Sequence, residues 1–125
     1  MIYKKGILCL LTALAVAYAQ PLSAQQSMVY TDLYANYKKG LELFEQGMYA
    51  TAQEHFNLIA EVKPEGTDGE IFNYISNSSY YAAICAIELG NPDAEKMMLD
   101  FVYNHPGHVL LGSAYNQLGR IYYNK

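Results

Sequence analysis

The side chains with chemical potential in this sequence are few, and most cluster in one place. His105-Pro106-Gly107-His108 sets two imidazoles three residues apart across a Pro-Gly turn, with Asp100 upstream. Imidazoles and a carboxylate are donor types of a zinc-like site, but such a site needs three or four converging ligands held by further hydrogen bonds. Only two histidines share this turn, so a structural turn is expected, with a metal-binding helical bundle as the lesser alternative. His55, between Glu54 and Phe56, reads as a surface residue. Cys85 lies in the apolar run Tyr81-Ala82-Ala83-Ile84-Cys85-Ala86-Ile87 and reads as a small core residue. No His or Asn stands near it in sequence to activate a thiolate. Glu42, Glu45, Glu54, Glu61 and Glu65 are dispersed and read as solvated faces. No Gly-rich phosphate loop, nucleophile elbow or paired catalytic carboxylate is visible. The sequence therefore assigns no catalytic residue, no cofactor site and no metal site, and the chain is expected not to be an enzyme.

Composition narrows the partners. The chain has 125 residues, 52% hydrophobic and 16% charged, too apolar for a disordered segment and long enough for one small domain. Thirteen Tyr and four Phe with no Trp make tyrosine the main large packing residue. Eight basic against twelve acidic groups give a net charge of −4, which argues against a nucleic-acid partner. Tyr80-Tyr81 and Tyr122-Tyr123 accordingly read as packing, not base-stacking platforms. Asn77-Ser78-Ser79 fits a glycosylation sequon but falls inside an expected helix.

Residues 1–24 read as a secretory signal peptide. Lys4 and Lys5 form a basic start, Gly6 to Ala19 an uncharged apolar run, and Gln20-Pro21-Leu22-Ser23-Ala24 a break with a small-residue end. The apolar run falls short of the roughly 20 residues that span a bilayer. An uncleaved anchor is the rival reading. Cleavage is expected after Ala24, with Ala19 as a second option. Cys9 lies too early for a lipidated cysteine. Residues 25–125 keep six basic and twelve acidic groups, a net charge of −6, and Cys85 as their only thiol. No internal disulfide and no membrane span are then expected, and the product is placed in the periplasm or cell envelope.

The rest predicts five helices. Val29 to Gln46 carries Leu33, Tyr37, Leu41 and Phe44 at helical spacing, with Thr31 or Asp32 as cap and Gly47 as stop. Tyr49 to Val62 buries Ala52, Phe56, Ile59 and Ala60 and stops before Pro64 and Gly66. Gly69 to Leu89 is closed by Gly90. A fourth helix has Asn91 as cap and Pro92 in its first turn, carries Ala94, Met97, Met98, Phe101 and Val102, and ends before Pro106-Gly107. Val109 to Tyr123 is the fifth, with Leu111, Tyr115, Leu118, Ile121 and Tyr122. No period-two segment competes, so the fold class is all-α.

The helices repeat in pairs. Gly47 and Tyr49 lead to Ala52, Phe56 and Pro64, while Gly90 leads to Ala94, Met98 and Pro106. Gly40 and Ala82 are the matching small residues of the preceding helices. Tyr115, Leu118, Gly119 and Tyr122 begin a third copy. The pattern of small residue, large apolar residue and closing proline resembles the tetratricopeptide repeat, a helix–turn–helix unit of about 34 residues. The resemblance implies about two and a half units of an α-solenoid over residues 25–125, the units spanning about 31–64, 69–106 and a partial 109–125. Asn36, Lys39, Ile59 and Phe101 depart from the family pattern. The longer spacing is assigned to an insert between Glu65 and Asn73, read as a spacer.

What the resemblance implies for function is a non-enzymatic scaffold that binds a peptide or partner helix in the groove of its first helices. The groove candidates by that alignment are Tyr34, Tyr37, Leu41, Phe44 and Glu45. From the second unit come Ser76, Ser79, Ala83 and Ala86, and from the third Ser113, Asn116, Arg120 and Tyr123. Packing between helices is the rival reading for several of the tyrosines. The carboxylate clamp of chaperone-type repeats is not expected, because its alignment positions hold Tyr37, Leu41, Tyr80, Ser113 and Gln117. Two alternatives follow: a front piece of a longer array, or self-association through an uncapped last helix.

Overall fold

Apolar residues recurring every three or four positions need a partner for that stripe, and in this chain helices cover one another. The computed structural model describes residues 30–64, 66 and 68–125, and they are all-helical, with no strand among them. Helix α1 is seen over residues 30–45. It is followed by α2 (Tyr49–Ala60), α3 (Gly69–Glu88), α4 (Ala94–Asn104) and α5 (Leu111–Tyr123). Leu33–Lys125 form one compact unit and Met1–Asp32 another, and the packing below belongs to the first of these. The expected leader, its cleavage sites, Cys9 and Glu65 lie outside the described residues.

The turns have clear physical causes. At the end of α1, Gly47 N–H donates to the Phe44 carbonyl (3.0 Å) and Met48 N–H to the Leu43 carbonyl (2.9 Å). Gly90 N–H to Ile87 (3.0 Å) and Asn91 N–H to Ala86 (2.9 Å) repeat this at the end of α3. Both closures need a left-handed residue, which Gly47 (φ 73°) and Gly90 (φ 66°) supply. Helix α3 starts at Asp68, whose carboxylate accepts from Glu70 N (3.1 Å) and Ile71 N (2.9 Å).

Some helix starts differ from expectation. Thr31 and Asp32 lie inside α1, because the helix is already formed at residue 30. The N-cap of α4 is Asp93, not Asn91, and it makes no side-chain cap bond: the Asn91 carbonyl accepts from Ala94 N (3.1 Å) and closes a Pro92-Asp93 turn before the helix proper. The start of α5 moves from Val109 to Leu111, since His108 Nδ1 accepts the Leu110 N–H at 3.1 Å and holds the chain in a turn there.

Three connected clusters make the core. Leu33, Ile59 and Ile75 form one. Leu43, Ala52, Phe56, Ala82 and Cys85 form the second. Tyr80, Ala83, Ile84, Met98, Phe101, Ala114 and Leu118 form the third. The small residues permit close approach: a Cβ on Gly40 would meet Phe56 Cε1 at 2.8 Å, so α1 and α2 touch at van der Waals distance there. Gln53 ties three helices, donating from Nε2 to the Ala82 carbonyl at 3.1 Å and lying 3.9 Å from Met97 Sδ.

Candidate interaction face

The tyrosine-rich composition becomes a connected set of rings. Tyr34 meets Tyr74 edge-on at 6.0 Å, and Tyr74 lies 5.1 Å from Tyr37. Tyr37 meets Phe56 at 6.2 Å, and Phe56 stacks on Tyr81 at 5.3 Å and 19°. Tyr81 leads to Phe44 (5.3 Å) and to Tyr80 (5.5 Å), and Tyr80 to Phe101 (5.4 Å). Edge-to-face and offset geometries such as these add about 0.5–1.5 kcal/mol per pair beyond area burial.

Two polar neighbours border this network. Asn77 of α3 lies beside the Tyr37 hydroxyl of α1, and Ser113 of α5 lies beside the Tyr80 hydroxyl of α3. Burial pushes both phenols above their ordinary range, Tyr81 adding to the shift, while Asn77 and Ser113 oppose it. Both rings therefore stay neutral. Tyr34 and Ser113 are exposed and Asn77 is half-buried, and with these polar neighbours they define the candidate face. On α5 helical periodicity adds Gln117 and Arg120 to the side of Ser113, and Arg120 Nη1 donates to Gln117 Oε1 at 3.1 Å.

The expected groove residues divide into three groups. Tyr34 is 47% exposed, and Glu45, Ser113, Asn116, Arg120 and Tyr123 are exposed. Tyr37, Leu41 and Phe44 are half-buried and pack on the Leu43–Phe56 cluster, so they support the face from beneath. Ser76, Ala83 and Ala86 are buried. Ser76 Oγ donates to the Phe72 carbonyl at 2.9 Å, and Ser79 Oγ to Ile75 at 3.0 Å. Ser79 instead lines a small cleft with Asn57 and Ala60 of α2 and Met97, Asp100 and Phe101 of α4. On α3 it is half-buried Asn77 and buried Tyr80 that lie beside polar groups of α1 and α5. They stand three apart, but α3 buries residues on most of its circumference and periodicity alone could not orient it.

The histidine turn is an aromatic junction. His105 lies 5.2 Å from Phe101 and 5.9 Å from Phe72, and His108 lies 5.3 Å from Phe101. With His108 Nδ1 accepting from Leu110, that nitrogen is committed to the turn. Buried His105 Nδ1 has no hydrogen-bond partner. Among the described residues no three His, Cys, Asp or Glu side chains converge as a metal site. A cleft of about 400 Å³ opens beside the turn, between Phe72-Asn73 and Asn104–Val109. The longer start of α3 thus reaches the α4–α5 turn through Phe72.

His55 departs from its surface reading: it is half-buried, and its Nδ1 donates to Asn36 Oδ1 at 2.9 Å across α1 and α2. Asn77 of the sequon is half-buried in α3, beside the Tyr37 hydroxyl. Cys85 is fully buried, and burial pushes its thiol up to about 11, the opposite of an activated nucleophile. No helix among the described residues is long and apolar enough to cross a membrane. No family model, curated protein or solved structure matches this chain.

Proposed function

We propose that this chain is a tetratricopeptide-like interaction module, exported to the periplasm or cell envelope of a bacterium, which binds a peptide or partner helix and carries out no catalysis. The observation that carries the reading is the face where Asn77 lies beside the Tyr37 hydroxyl and Ser113 beside the Tyr80 hydroxyl. It offers an exposed aromatic ring, Tyr34, with the connected rings of Tyr74 and Tyr37 behind it, amide and hydroxyl groups, and the exposed Arg120 guanidinium. Tyrosine and arginine are the residue types that anchor protein interfaces, and fixed supporting rings reduce the entropy lost on binding. The small residues Gly40 and Ala82 at matching positions, and the like closures at Gly47 and Gly90, support the repeat reading. The chemistry-bearing residues point the same way: Cys85 is an inert core thiol and His108 a turn-forming residue.

The test is partner capture by variants that leave the core untouched. Tyr34→Ala and Arg120→Ala are each expected to weaken capture from envelope extracts about tenfold, with unchanged helical circular dichroism. Leu58→Ser, at a 60% exposed position on α2, is the control. Equal capture by all three proteins and the parent overturns the assignment of this face.

A further inference from the structure

The fifth helix carries a second surface, on a different side from Ser113, Gln117 and Arg120. Gly112, Tyr115, Gly119 and Tyr122 recur at spacings of three, four and three, the seam of a helix that packs against another. All four are exposed, with Tyr115 at 59% and Tyr122 at 51%. A Cβ placed on Gly112 or Gly119 would meet nothing within 4 Å. The same spacing on α1 is occupied: Asn36 binds His55, Gly40 receives Phe56, and Leu43 packs with Ala52, all from α2. In α5 the corresponding Tyr115, Gly119 and Tyr122 are exposed, with α4 reaching the end of this stripe through Glu95 and Tyr103 beside Tyr122.

We propose that the occupant of this seam is the α5 helix of a second copy of the chain, docked antiparallel about a twofold axis at the level of residue 117. In that register Tyr115 of each copy faces Gly119 of the other, and Tyr122 faces Gly112. Every large ring meets a residue without a side chain, twice over by symmetry. A parallel pairing has no such match, because it sets Tyr against Tyr and Gly against Gly. The size pattern of the seam is therefore complementary to itself reversed, which is what a twofold interface requires.

Charge allows the same pairing. The chain carries a net −4, so most self-contacts work against like charge, but Arg120 is the only charged residue of Leu111–Tyr123 and lies off the seam. Antiparallel helix dipoles attract. Tyr122 is flanked beforehand by Lys125, whose Nζ lies over its ring at 5.5 Å, and by Glu95 beside its hydroxyl. Tyr103, close enough to influence the Tyr122 hydroxyl, and Tyr123 extend the surface and are 78% and 91% exposed. At about 200 Å² per ring, the four tyrosines expose on the order of 500 Å² per copy. Pairing could then bury up to roughly 1,000 Å² in all, the size of a weak, reversible interface.

The experiment uses full-length chains secreted through their own leader and purified as processed, with Cys9→Ser throughout. Cys85 is buried and its thiol is pushed up to about 11, so it stays silent to mild oxidation. Sedimentation over a concentration series is expected to show a monomer–dimer equilibrium that salt barely changes. Gly119→Arg is expected to shift it at least tenfold toward monomer without loss of helicity. Chains carrying Tyr115→Cys and chains carrying Gly119→Cys are expected to form a covalent dimer when mixed, and little when oxidised separately. A strict monomer, a Gly119→Arg protein that pairs like the parent, or cross-linking of one variant with itself overturns the proposal. So does a host protein of much larger mass in which a further helix of the same chain covers Gly119. None of these results touches the Tyr34–Arg120 face, which is tested separately.

Discussion

Gly40 and Gly119 stand at matching positions of two helices, and their surroundings give them opposite roles. Gly40 lies against the Phe56 ring, where an added methyl group would sit at 2.8 Å. Gly40→Ala is expected to destabilise by about 1–3 kcal/mol, because Phe56 is fully buried and has no free space to move into. Gly119→Ala meets open space, and the helical preference of alanine should stabilise the unpaired chain by up to about 1 kcal/mol. Thermal melts of dilute protein read both, and the same sign for the two substitutions contradicts the packing described. His105 gives a prediction in pH. Burial, and then His108 beside it, hold its imidazole below the ordinary value of 6.5. The folded state therefore resists the proton that the unfolded chain accepts, so the associated stability is present above pH 6.5 and declines as pH falls below it. His105→Phe keeps the ring contacts with Phe101 and Phe72 and removes the unpaired Nδ1. Its melting temperature should fall less than that of the parent over this interval. Identical pH dependence in the two proteins would show that His105 does not contribute.

At the scale of elements, the helices were legible because their punctuation is local. Gly47 and Gly90 are needed for left-handed closures, and Pro64 and Pro106 cannot continue a helix, so the ends of α1 to α4 follow from a few residues. Starts were harder to read, since backbone turns can replace side-chain caps, as they do before α4. Asp68 is an exception, with a carboxylate that caps α3. Asp68→Ala should cost about 0.5–2 kcal/mol and raise amide exchange first at Glu70 and Ile71. Uniform exchange changes along α3 would contradict a local cap. The rotation of α3 was not legible. It carries buried residues from Ile75 to Ala86 on several sides, so its apolar stripe is too broad to identify the solvent face. On α1 and α5 the stripe is narrower, and Tyr34 and Arg120, named by the alignment, are exposed. Asn77 and Tyr80 became visible only through their neighbours on other helices, Asn77 beside Tyr37 and Tyr80 beside Ser113.

For the molecule as a whole, tyrosine does the work that leucine does in many helical folds, and that choice has a functional consequence. A ring buried by its face can still present a hydroxyl at the surface, so the same residues build the core and the polar face proposed for binding. The Tyr34–Tyr74–Tyr37–Phe56–Tyr81 series links that face to the centre of the fold. On the proposed function, an acidic chain with this face would select partners by aromatic and hydrogen-bonding contacts more than by long-range attraction, and moderate salt is expected to leave capture largely intact. The most direct measurement places a photo-reactive amino acid at Tyr34 in one protein and at Leu58 in another, then irradiates each in its native host. One discrete cross-linked partner is expected from position 34 and none from position 58. The same partner from both positions, or from position 58 alone, would contradict binding at the face where Asn77 lies beside Tyr37 and Ser113 beside Tyr80.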